Sequence, residues 1–332
     1  MQPLDLNTLP LPDLYFTLAR SGLVRALIEL ARDEDIGFGH PGSAGADPTS
    51  FSIGDPRATM TAHVNAREAM TVAGLETVPE IIRAFKSSVM CEALAADGDA
   101  VEKGRMLATL TGPRREVLMI ERTLLNLVSR LSGVATLTRA FVTRMNAEAP
   151  GTRARLFDTR KTTPGLRMLE KYAVRCGGGF CHRLGLYDAV LFKDNHVAAL
   201  APGEFARAIA LAASRAKQSA GTPMRFFEVE VDSLEQLDAL LHLQPEKGVK
   251  GFAGGGTIEF TLLDNMTSEQ LREAVRRRDH APTDWARHIQ LEASGGVRLE
   301  TIGAIAATGV ERISCGALTH QAVSVDIGLD AG

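Results

Sequence analysis

The stretch IQLEASGGVRLETIGAIAATGVERISCG, residues 289–316, decides the predicted fold. Its two ends, residues 289–293 and 312–315, are short apolar runs typical of buried strands. Between them, residues 298–308 carry apolar side chains at helical spacing. A strand, a helix and a second strand in this order predict a unit in which the two strands lie parallel.

The same rhythm extends back to residue 155. Four further candidate strands precede the quoted stretch, at residues 155–159, 189–193, 226–231 and 260–264. Helical patterns separate most of them, at residues 164–175, 203–215, 233–243 and 267–278. The last two open with the capping-box patterns Ser233…Gln236 and Thr267…Gln270. Six strands alternating with helices favour an incomplete parallel α/β barrel over its competitor, an open sheet.

The first part of the chain has a different pattern. Its candidate elements are a helix at residues 11–33, a loop at residues 35–56, strands at residues 58–66 and 106–110, and helices at residues 79–86 and 116–144. We therefore predict an α/β protein with two domains. An N-terminal α+β sandwich domain covers residues 1–120, and the barrel domain covers residues 121–317.

Polar or charged residues follow almost every candidate strand. In chain order they are Thr159-Arg160-Lys161, Lys193-Asp194-Asn195-His196, Glu228 with Glu230, Asp264-Asn265, Glu292 with Ser294-Gly295-Gly296, and Cys315-Gly316. In a barrel the carboxyl ends of the strands meet at one face, where active sites lie. We expect these residues to converge there, and solvated strand ends are the alternative interpretation.

Positive charge is concentrated in one part of the chain. Residues 151–196 hold nine Lys or Arg and four Asp or Glu, a net charge of +5, whereas the whole chain has −3. Local positive charge in an acidic protein indicates a site for a small polyanion. The cationic residues in loop or strand-end positions are Arg160, Lys161, His182, Arg183 and Lys193.

Composition excludes several other classes of protein. The 332 residues are 45% hydrophobic and 23% charged, which is typical of a globular protein. Only 5% are aromatic and the net charge is negative, so no nucleic-acid partner is expected. No apolar run reaches the roughly 18 residues of a membrane span. Four scattered cysteines fit a reducing, cytoplasmic location.

Two glycine-rich segments differ in their context. Residues 37–42 match the dinucleotide pattern GxGxxG, but no strand precedes them and Pro41 interrupts them. Ser294-Gly295-Gly296 and Gly316 follow the last two strands, where barrels often bind phosphate. These late glycines predict a phosphate site, with plain turns as the alternative.

Glu230 and Asp264 are the acidic residues at strand ends. They suit either a divalent cation, such as Mg²⁺ shared with a phosphorylated substrate, or stabilisation of a cationic transition state. An ion pair with a neighbouring barrel lysine is the structural alternative.

The residues also resemble those of a known family, the quinolinate phosphoribosyltransferases. The motifs that carry the resemblance run from residue 121 to residue 320 in family order. They are Glu121-Arg122, residues 131–136 (LSGVAT), 158–167 (DTRKTTPGLR), 170–174 (EKYAV), 177–179 (GGG), 182–186 (HRLGL), 193–196 (KDNH), 228–231 (EVEV), 263–265 (LDN), 294–296 (SGG) and 316–320 (GALTH).

The resemblance implies a fold and an assembly. It implies that residues 318–332 return to the N-terminal domain. It also implies a homodimer or a higher oligomer, in which Arg122 reaches into the active site of the neighbouring subunit.

The resemblance further implies a reaction. Quinolinate and phosphoribosyl pyrophosphate, with Mg²⁺, would give nicotinate mononucleotide, pyrophosphate and CO₂ in NAD biosynthesis. Arg122, Arg160, Lys161, His182 and Arg183 match positions that bind the two quinolinate carboxylates, and Lys193 belongs to the same cationic site. We expect Lys161, Glu230 and Asp264 to be catalytic.

The resemblance also implies that the remaining positions of the motif set bind the donor. Glu230 and Asp264 match the acidic pair beside the ribose and are the expected Mg²⁺ ligands. Ser294, Gly295 and Gly316 match the cradle of the 5-phosphate.

The sequence departs from the family pattern at three places. Cys181 replaces the usual Asn before His182, residues 246–260 form an expected surface insertion, and residues 37–56 are irregular. Other hypotheses stay open: a related phosphoribosyltransferase that uses nicotinate, a non-catalytic ligand-binding protein, or a barrel lyase or isomerase with Lys193 as a Schiff base.

Overall fold

The computed structural model describes residues 4–38, 47–53, 55–197, 204–219, 224–243 and 258–332. The chain divides into two compact units. The barrel unit comprises Met1–Leu6, Ala140–Arg160 and Phe180–Ala317. The sandwich unit comprises Asn7–Arg139, Lys161–Gly179 and Leu318–Gly332. Most of the predicted insertion at residues 246–260 lies outside the described residues.

The helices are α1 (Leu11–Ala19), α2 (Leu23–Ile36), α3 (Pro48–Ser52), α4 (Val78–Ala84), α5 (Arg114–Glu148), α6 (Arg167–Cys176), α7 (Asp194–Val197), α8 (Phe205–Ser219), α9 (Leu234–Leu241), α10 (Ser268–Asp279), α11 (Asp284–Arg287), α12 (Ile302–Ala306) and α13 (Ala317–His320). The side chains of Ser233 and Thr267 cap α9 and α10, as the sequence predicts, and Thr267 forms a full capping box with Gln270.

The strands are β1 (Thr59–Ala66), β2 (Met70–Thr71), β3 (Met90–Ala93), β4 (Ala100–Val101), β5 (Met106–Pro113), β6 (Arg155–Phe157), β7 (Val190–Phe192), β8 (Phe227–Val231), β9 (Phe260–Asp264), β10 (Gln290–Ser294), β11 (Arg312–Ser314) and β12 (Ile327–Ala331). The predicted strand at residues 260–264 coincides with β9. β6 ends at Phe157, two residues earlier than predicted, and Phe157 forms an isolated parallel bridge with Phe180.

The barrel unit is built on one sheet of six strands in the order β6-β11-β10-β9-β8-β7. Every neighbouring pair in this sheet is parallel. Within the described residues β6 and β7 do not pair with each other, so the sheet is not closed. All five residues of β8 are buried, as expected for a parallel strand covered on both faces. The predicted incomplete parallel α/β barrel is confirmed.

The sandwich unit contains an antiparallel sheet in the order β12-β1-β5-β3. Its first strand, β12, comes from the end of the chain and pairs with β1, with Leu329 opposite Val64. Buried side chains alternate with exposed or half-buried ones along the second half of β1. Residues 318–332 thus belong to this unit and supply one edge of its sheet.

The boundary between the units lies inside α5, between Arg139 and Ala140. The predicted domain bounds placed it at residue 120, within the same helix. The segment Lys161–Gly179 also belongs to the sandwich unit, although it follows a barrel strand. Its helix α6 is held there by Tyr172, whose hydroxyl donates to Asp97 at 2.8 Å, and by Arg175, which donates to the backbone oxygens of Asn7 and Leu9.

Across the residues that the structure describes, no helix has the length and apolar character needed to span a membrane.

Gly133 in α5 provides a test of packing in the sandwich unit. A Cβ at this position would lie 2.0 Å from Val323 O, a backbone atom that cannot move aside easily. We expect Gly133→Ala to lower the free energy of unfolding by about 2–4 kcal/mol. Urea unfolding measures this, with Asn146→Ala on an exposed face of α5 as the control. Equal stability of the two variants would contradict the close approach.

Candidate functional site

The carboxyl ends of the six parallel strands lie at one edge of the barrel sheet. The residues found there, in sheet order, are Arg160 after β6, Gly316 after β11, Ser294 and Gly295 at β10, Asp264 at β9, Glu230 in β8 and Lys193 after β7. The strand register keeps them at similar levels, since Ser294 is opposite Asp264. The barrel unit therefore holds nine of the eleven predicted site residues, including His182 and Arg183.

The acidic side of this edge is formed by Glu230 and Asp264. Lys193 Nζ lies 2.5 Å from Glu230 Oε2, and the Glu230 side chain is buried. Asp264 Oδ2 accepts a hydrogen bond from Asn265 Nδ2 at 2.7 Å. These carboxylate oxygens are of the type that Mg²⁺ prefers, so the donor set fits that ion. Glu230 also forms the lysine pair that was the structural alternative.

Backbone atoms approach each other closely at the end of β10. Gly295 has φ +88°, and a Cβ there would lie 2.1 Å from Asn265 Oδ1. Asn265 itself has φ +54°, and its N–H donates to Ser294 O at 2.8 Å. Gly295 is therefore required both by its left-handed backbone and by its neighbour.

Arg160 and Arg183 form a cationic pair near the other side of the edge. The Arg183 side chain is buried, and its guanidinium donates weakly to Ala189 O at 3.5 Å. Burial and the nearby charge of Arg160 lower the pKa of Arg183. Arg160 Nε is buried without a hydrogen-bond partner. Arg160 is half-buried, and across the described residues neither arginine has a carboxylate within ion-pair distance, which is unusual for a buried guanidinium group such as that of Arg183.

The imidazole of His182 faces protein groups on both sides. Its Nδ1 accepts a hydrogen bond from Arg183 N at 2.8 Å. Its Nε2 lies 3.1 Å from Glu228 Oε2 and 3.2 Å from Glu292 Oε1. The ring is nearly inaccessible to solvent. Both ring nitrogens therefore already face protein groups, so neither is directed at a position where it could contact a substrate carboxylate in this conformation.

Beneath the edge lies a layer of buried charges. From the sequence, Glu228 and Glu292 are predicted as strand-end residues without a role, and Arg312 is not predicted at the site. Glu228 in β8, Glu292 in β10 and Arg312 in β11 share the inward face with the residues two positions further on. Arg312 Nε lies 2.6 Å from Glu292 Oε2, and its guanidinium lies 3.8 Å from the ring centre of Phe157. The sequence does contain one sign of this layer. Glu228 and Glu292 lie two residues before the predicted site residues Glu230 and Ser294, and residues two apart in a strand share a face.

The protonation of this layer follows from burial and charge. Burial lowers the pKa of His182, but Glu292 and Glu228 outweigh it and raise the pKa to about 9. Burial and Glu292 raise the pKa of Glu228, whereas His182 and Arg312 overcome burial and hold the pKa of Glu292 well below its usual range. Because Nδ1 accepts the Arg183 N–H, the ring's own proton lies on Nε2, and the additional proton is shared with Glu228, so the titration belongs to the cluster.

The ligand atoms of His182, Glu228 and Glu292 lie within 4.8 Å of one another, a spacing that suits a metal ion. However, the Arg312 guanidinium and the shared proton already balance the two carboxylates. The buried carboxylates are therefore neutralised by groups of the protein, and their burial does not require a metal cation.

Lys161 and Arg122, the other two predicted residues, belong to the sandwich unit. Thr319 Oγ1 donates to Lys161 O at 2.6 Å, and the Glu170 carboxylate accepts from both N and Oγ1 of Thr163. Arg130 in turn lies 2.7 Å from Glu170 and donates to Thr319 O. The backbone around Lys161 is thus fixed by a network of buried polar groups.

Arg122 lies in α5 with an exposed side chain. Its guanidinium lies 2.6 Å from Glu121. Cys181, which departs from the family pattern, is buried next to His182.

Comparison with known families extends these observations. Residues 47–132 match the N-terminal domain of quinolinate phosphoribosyl transferase, and residues 134–330 match its C-terminal domain. The chain belongs to the quinolinate phosphoribosyltransferase family. The resemblance noted from the motifs is thereby confirmed.

Individual relatives agree with this assignment. The chain is 40% identical over 325 residues to a nicotinate-nucleotide pyrophosphorylase [carboxylating] of Mycobacterium leprae, covering 96% of this chain and 99% of the relative. It is 38% identical over 297 residues to a Bacillus subtilis protein with the same name marked as probable, covering 90% and 89%. The solved structure of the Francisella tularensis nicotinate-nucleotide pyrophosphorylase is similar with a TM-score of 0.77 and 30% identity, covering 100% of both chains.

In this quinolinate phosphoribosyltransferase family member, the buried cluster predicts a pH-dependent stability. In the folded protein the additional proton of the cluster is lost with a pKa of about 9, whereas in the unfolded chain an ordinary histidine loses its proton near pH 6.5. The stabilisation is therefore complete below pH 6.5 and is lost as the pH rises through 9. We expect the free energy of unfolding to fall by on the order of 2 kcal/mol between pH 6.5 and 9.5.

The measurement is urea unfolding across that pH range for the wild type and for His182→Asn. The difference between the two profiles removes the contribution of groups elsewhere. Parallel profiles would show that His182 does not hold the additional proton.

Proposed function

We propose that this chain transfers the phosphoribosyl group of phosphoribosyl pyrophosphate to quinolinate, with loss of CO₂, to give nicotinate mononucleotide and pyrophosphate. Family membership supports this activity and its place in NAD biosynthesis. The structural observation that carries the proposal is the pair Arg160 and Arg183, whose positive charges act on each other and which have no carboxylate within ion-pair distance in the described chain. Two positive charges without a carboxylate partner can bind a dianion.

The substrate chemistry matches this pair. Quinolinate carries two adjacent carboxylates, and each planar guanidinium can donate two parallel hydrogen bonds to one of them. We propose that Lys161 supplies a third positive charge. In a homodimer, Arg122 of the neighbouring subunit would supply a fourth, and its exposed position on α5 is compatible with that role.

The acidic side of the edge suits the donor. Departure of pyrophosphate leaves positive charge on the ribose, and Glu230 and Asp264 would stabilise that charge and hold the ribose hydroxyls. Lys193, paired with Glu230, would face the donor phosphates. Mg²⁺ bound with Glu230 and Asp264 would supply neutralising charge for the diphosphate. Ser294, Gly295 and Gly316 would hold the 5-phosphate through backbone N–H groups.

Loss of CO₂ then needs little from the protein. The new bond to ribose makes the ring nitrogen cationic, so the electron pair that CO₂ leaves at C2 is stabilised next to it before a proton is added there. The side chains act by position and charge, and no nucleophilic residue is required.

A related transferase that uses nicotinate is the second candidate. It would need one carboxylate site, whereas two unpaired arginines favour a dicarboxylate. Incubation with quinolinate, phosphoribosyl pyrophosphate and Mg²⁺ separates the two, because only the proposed reaction releases pyrophosphate and CO₂ together. A Schiff-base lyase or isomerase would instead give a borohydride-trapped adduct at Lys193. We also propose a cytoplasmic location, because none of the four cysteines forms a disulfide.

Removal of the cationic groups tests the dicarboxylate site. We expect Arg160→Ala and Lys161→Ala each to lower kcat/KM by at least about a thousandfold while the melting temperature changes little. Arg153→Ala is the matched control, because Arg153 lies before β6 and pairs with Glu311. Coupled release of pyrophosphate is the readout, and near-wild-type kcat in Arg160→Ala or Lys161→Ala contradicts the assignment.

Two adjacent glycines test the phosphate cradle. Gly295 and Gly296 both have positive φ, but a Cβ at Gly296 meets no atom within 4 Å, whereas one at Gly295 meets Asn265. We expect Gly295→Ala to raise the KM for phosphoribosyl pyrophosphate by about tenfold more than Gly296→Ala does. Steady-state kinetics at saturating quinolinate measures this, and equal effects would argue against a cradle at Gly295.

A further inference from the structure

We infer that His182 is a positioning residue for Arg183, held in place by Glu228, Glu292 and Arg312, and that its ring does not itself bind the dicarboxylate. The inference rests on the proposed function, since it concerns how that function's anion site is built. The function of the buried charged layer is then to keep Arg183 aligned with Arg160.

The first argument is that the His182 ring is held on every side. Phe226 and Phe157 pack edge-on against it, with ring centres 5.2 Å and 6.3 Å away. Glu228 and Glu292 lie within 3.2 Å of Nε2. For Nε2 to reach a substrate, the ring would have to leave two buried carboxylates, and Glu228 accepts no hydrogen bond from any other donor in the described chain.

The second argument is that the main chain at His182 is fixed as firmly as its ring. Its N–H donates to Asp158 Oδ1 at 2.9 Å, and its carbonyl oxygen accepts from Arg225 Nη1 at 3.3 Å. Arg225 is itself paired with Asp188 at 3.2 Å. The residue is therefore a fixed point between β6 and β8.

The third argument is that this fixed point acts directly on Arg183. The Arg183 N–H donates to His182 Nδ1 at 2.8 Å, so the ring sets the position of the arginine main chain. Arg183 needs this support because burial and the charge of Arg160 both oppose its guanidinium. Both guanidinium groups must contact the same dianion, so displacement of either one sharply lowers the affinity of the site for that dianion.

A direct ligand and a positioning residue predict opposite effects of one substitution. If Nε2 bound the substrate, Glu292 would compete for it, so Glu292→Gln would leave the affinity unchanged or tighten it. If the layer holds the ring, Glu292→Gln loosens it and weakens binding. Glu311→Gln is the matched control, because Glu311 is also a carboxylate paired with arginines, but it precedes β11 at the opposite end of the strand.

The probe is benzene-1,2-dicarboxylate, which has two adjacent carboxylates and no ring nitrogen. We expect Glu292→Gln to weaken its binding in calorimetry by about tenfold and to raise the KM for quinolinate similarly. The KM for phosphoribosyl pyrophosphate should change less than about twofold. Glu311→Gln should change neither constant, although it lowers the melting temperature. Unchanged or tighter binding in Glu292→Gln overturns the inference.

A second pair of variants keeps the test decisive if Glu292→Gln does not fold. Asn places an acceptor near the position of Nδ1, and Gln places an amide near that of Nε2. Positioning through Nδ1 predicts that His182→Asn binds the probe more tightly than His182→Gln, and the reverse order or equality overturns it. A wild type that neither binds the probe nor releases CO₂ would instead count against the proposed function.

Discussion

The parallel hydrogen bonding of six strands is the constraint on which the site depends. Parallel register sends every carboxyl end to the same edge, so residues that are far apart in sequence become neighbours. Arg160 and Gly316 are separated by most of the barrel unit, yet they follow adjacent strands, β6 and β11. The edge therefore combines cationic residues, acidic residues and the glycines after β10 and β11. No short stretch of the sequence contains all three.

A second feature of the barrel is the charged layer one step below this edge. Glu228, Glu292 and Arg312 lie where most barrels place branched apolar side chains. Burial of these groups is tolerated because each charge has a partner, and Arg312 also packs on aromatic rings. The layer stiffens the floor of the site, which matters for a reaction that depends on position and charge rather than on a nucleophile.

Local sequence patterns were sufficient for much of the fold. β9 was predicted at its observed bounds, and the caps of α9 and α10 were read from two short motifs. The strand-end residues were predicted because they follow buried runs directly. The role of Glu292 was not predicted, because a charged residue inside a strand gives no local sign of the partners that permit its burial. The grouping of α6 with the sandwich unit was missed for a similar reason, since its contacts come from distant residues.

The sequence by itself determined the alternation of strands and helices, the glycines that follow the last two barrel strands and the family to which the chain belongs. These follow from spacing and residue type, which are local properties. Only the tertiary structure decided which residues share a neighbourhood: that the charges of Arg160 and Arg183 act on each other without a carboxylate partner, and that both nitrogens of His182 face the protein. The physical reason is that a pKa, an unpaired charge or a close approach is set by atoms brought from elsewhere in the chain.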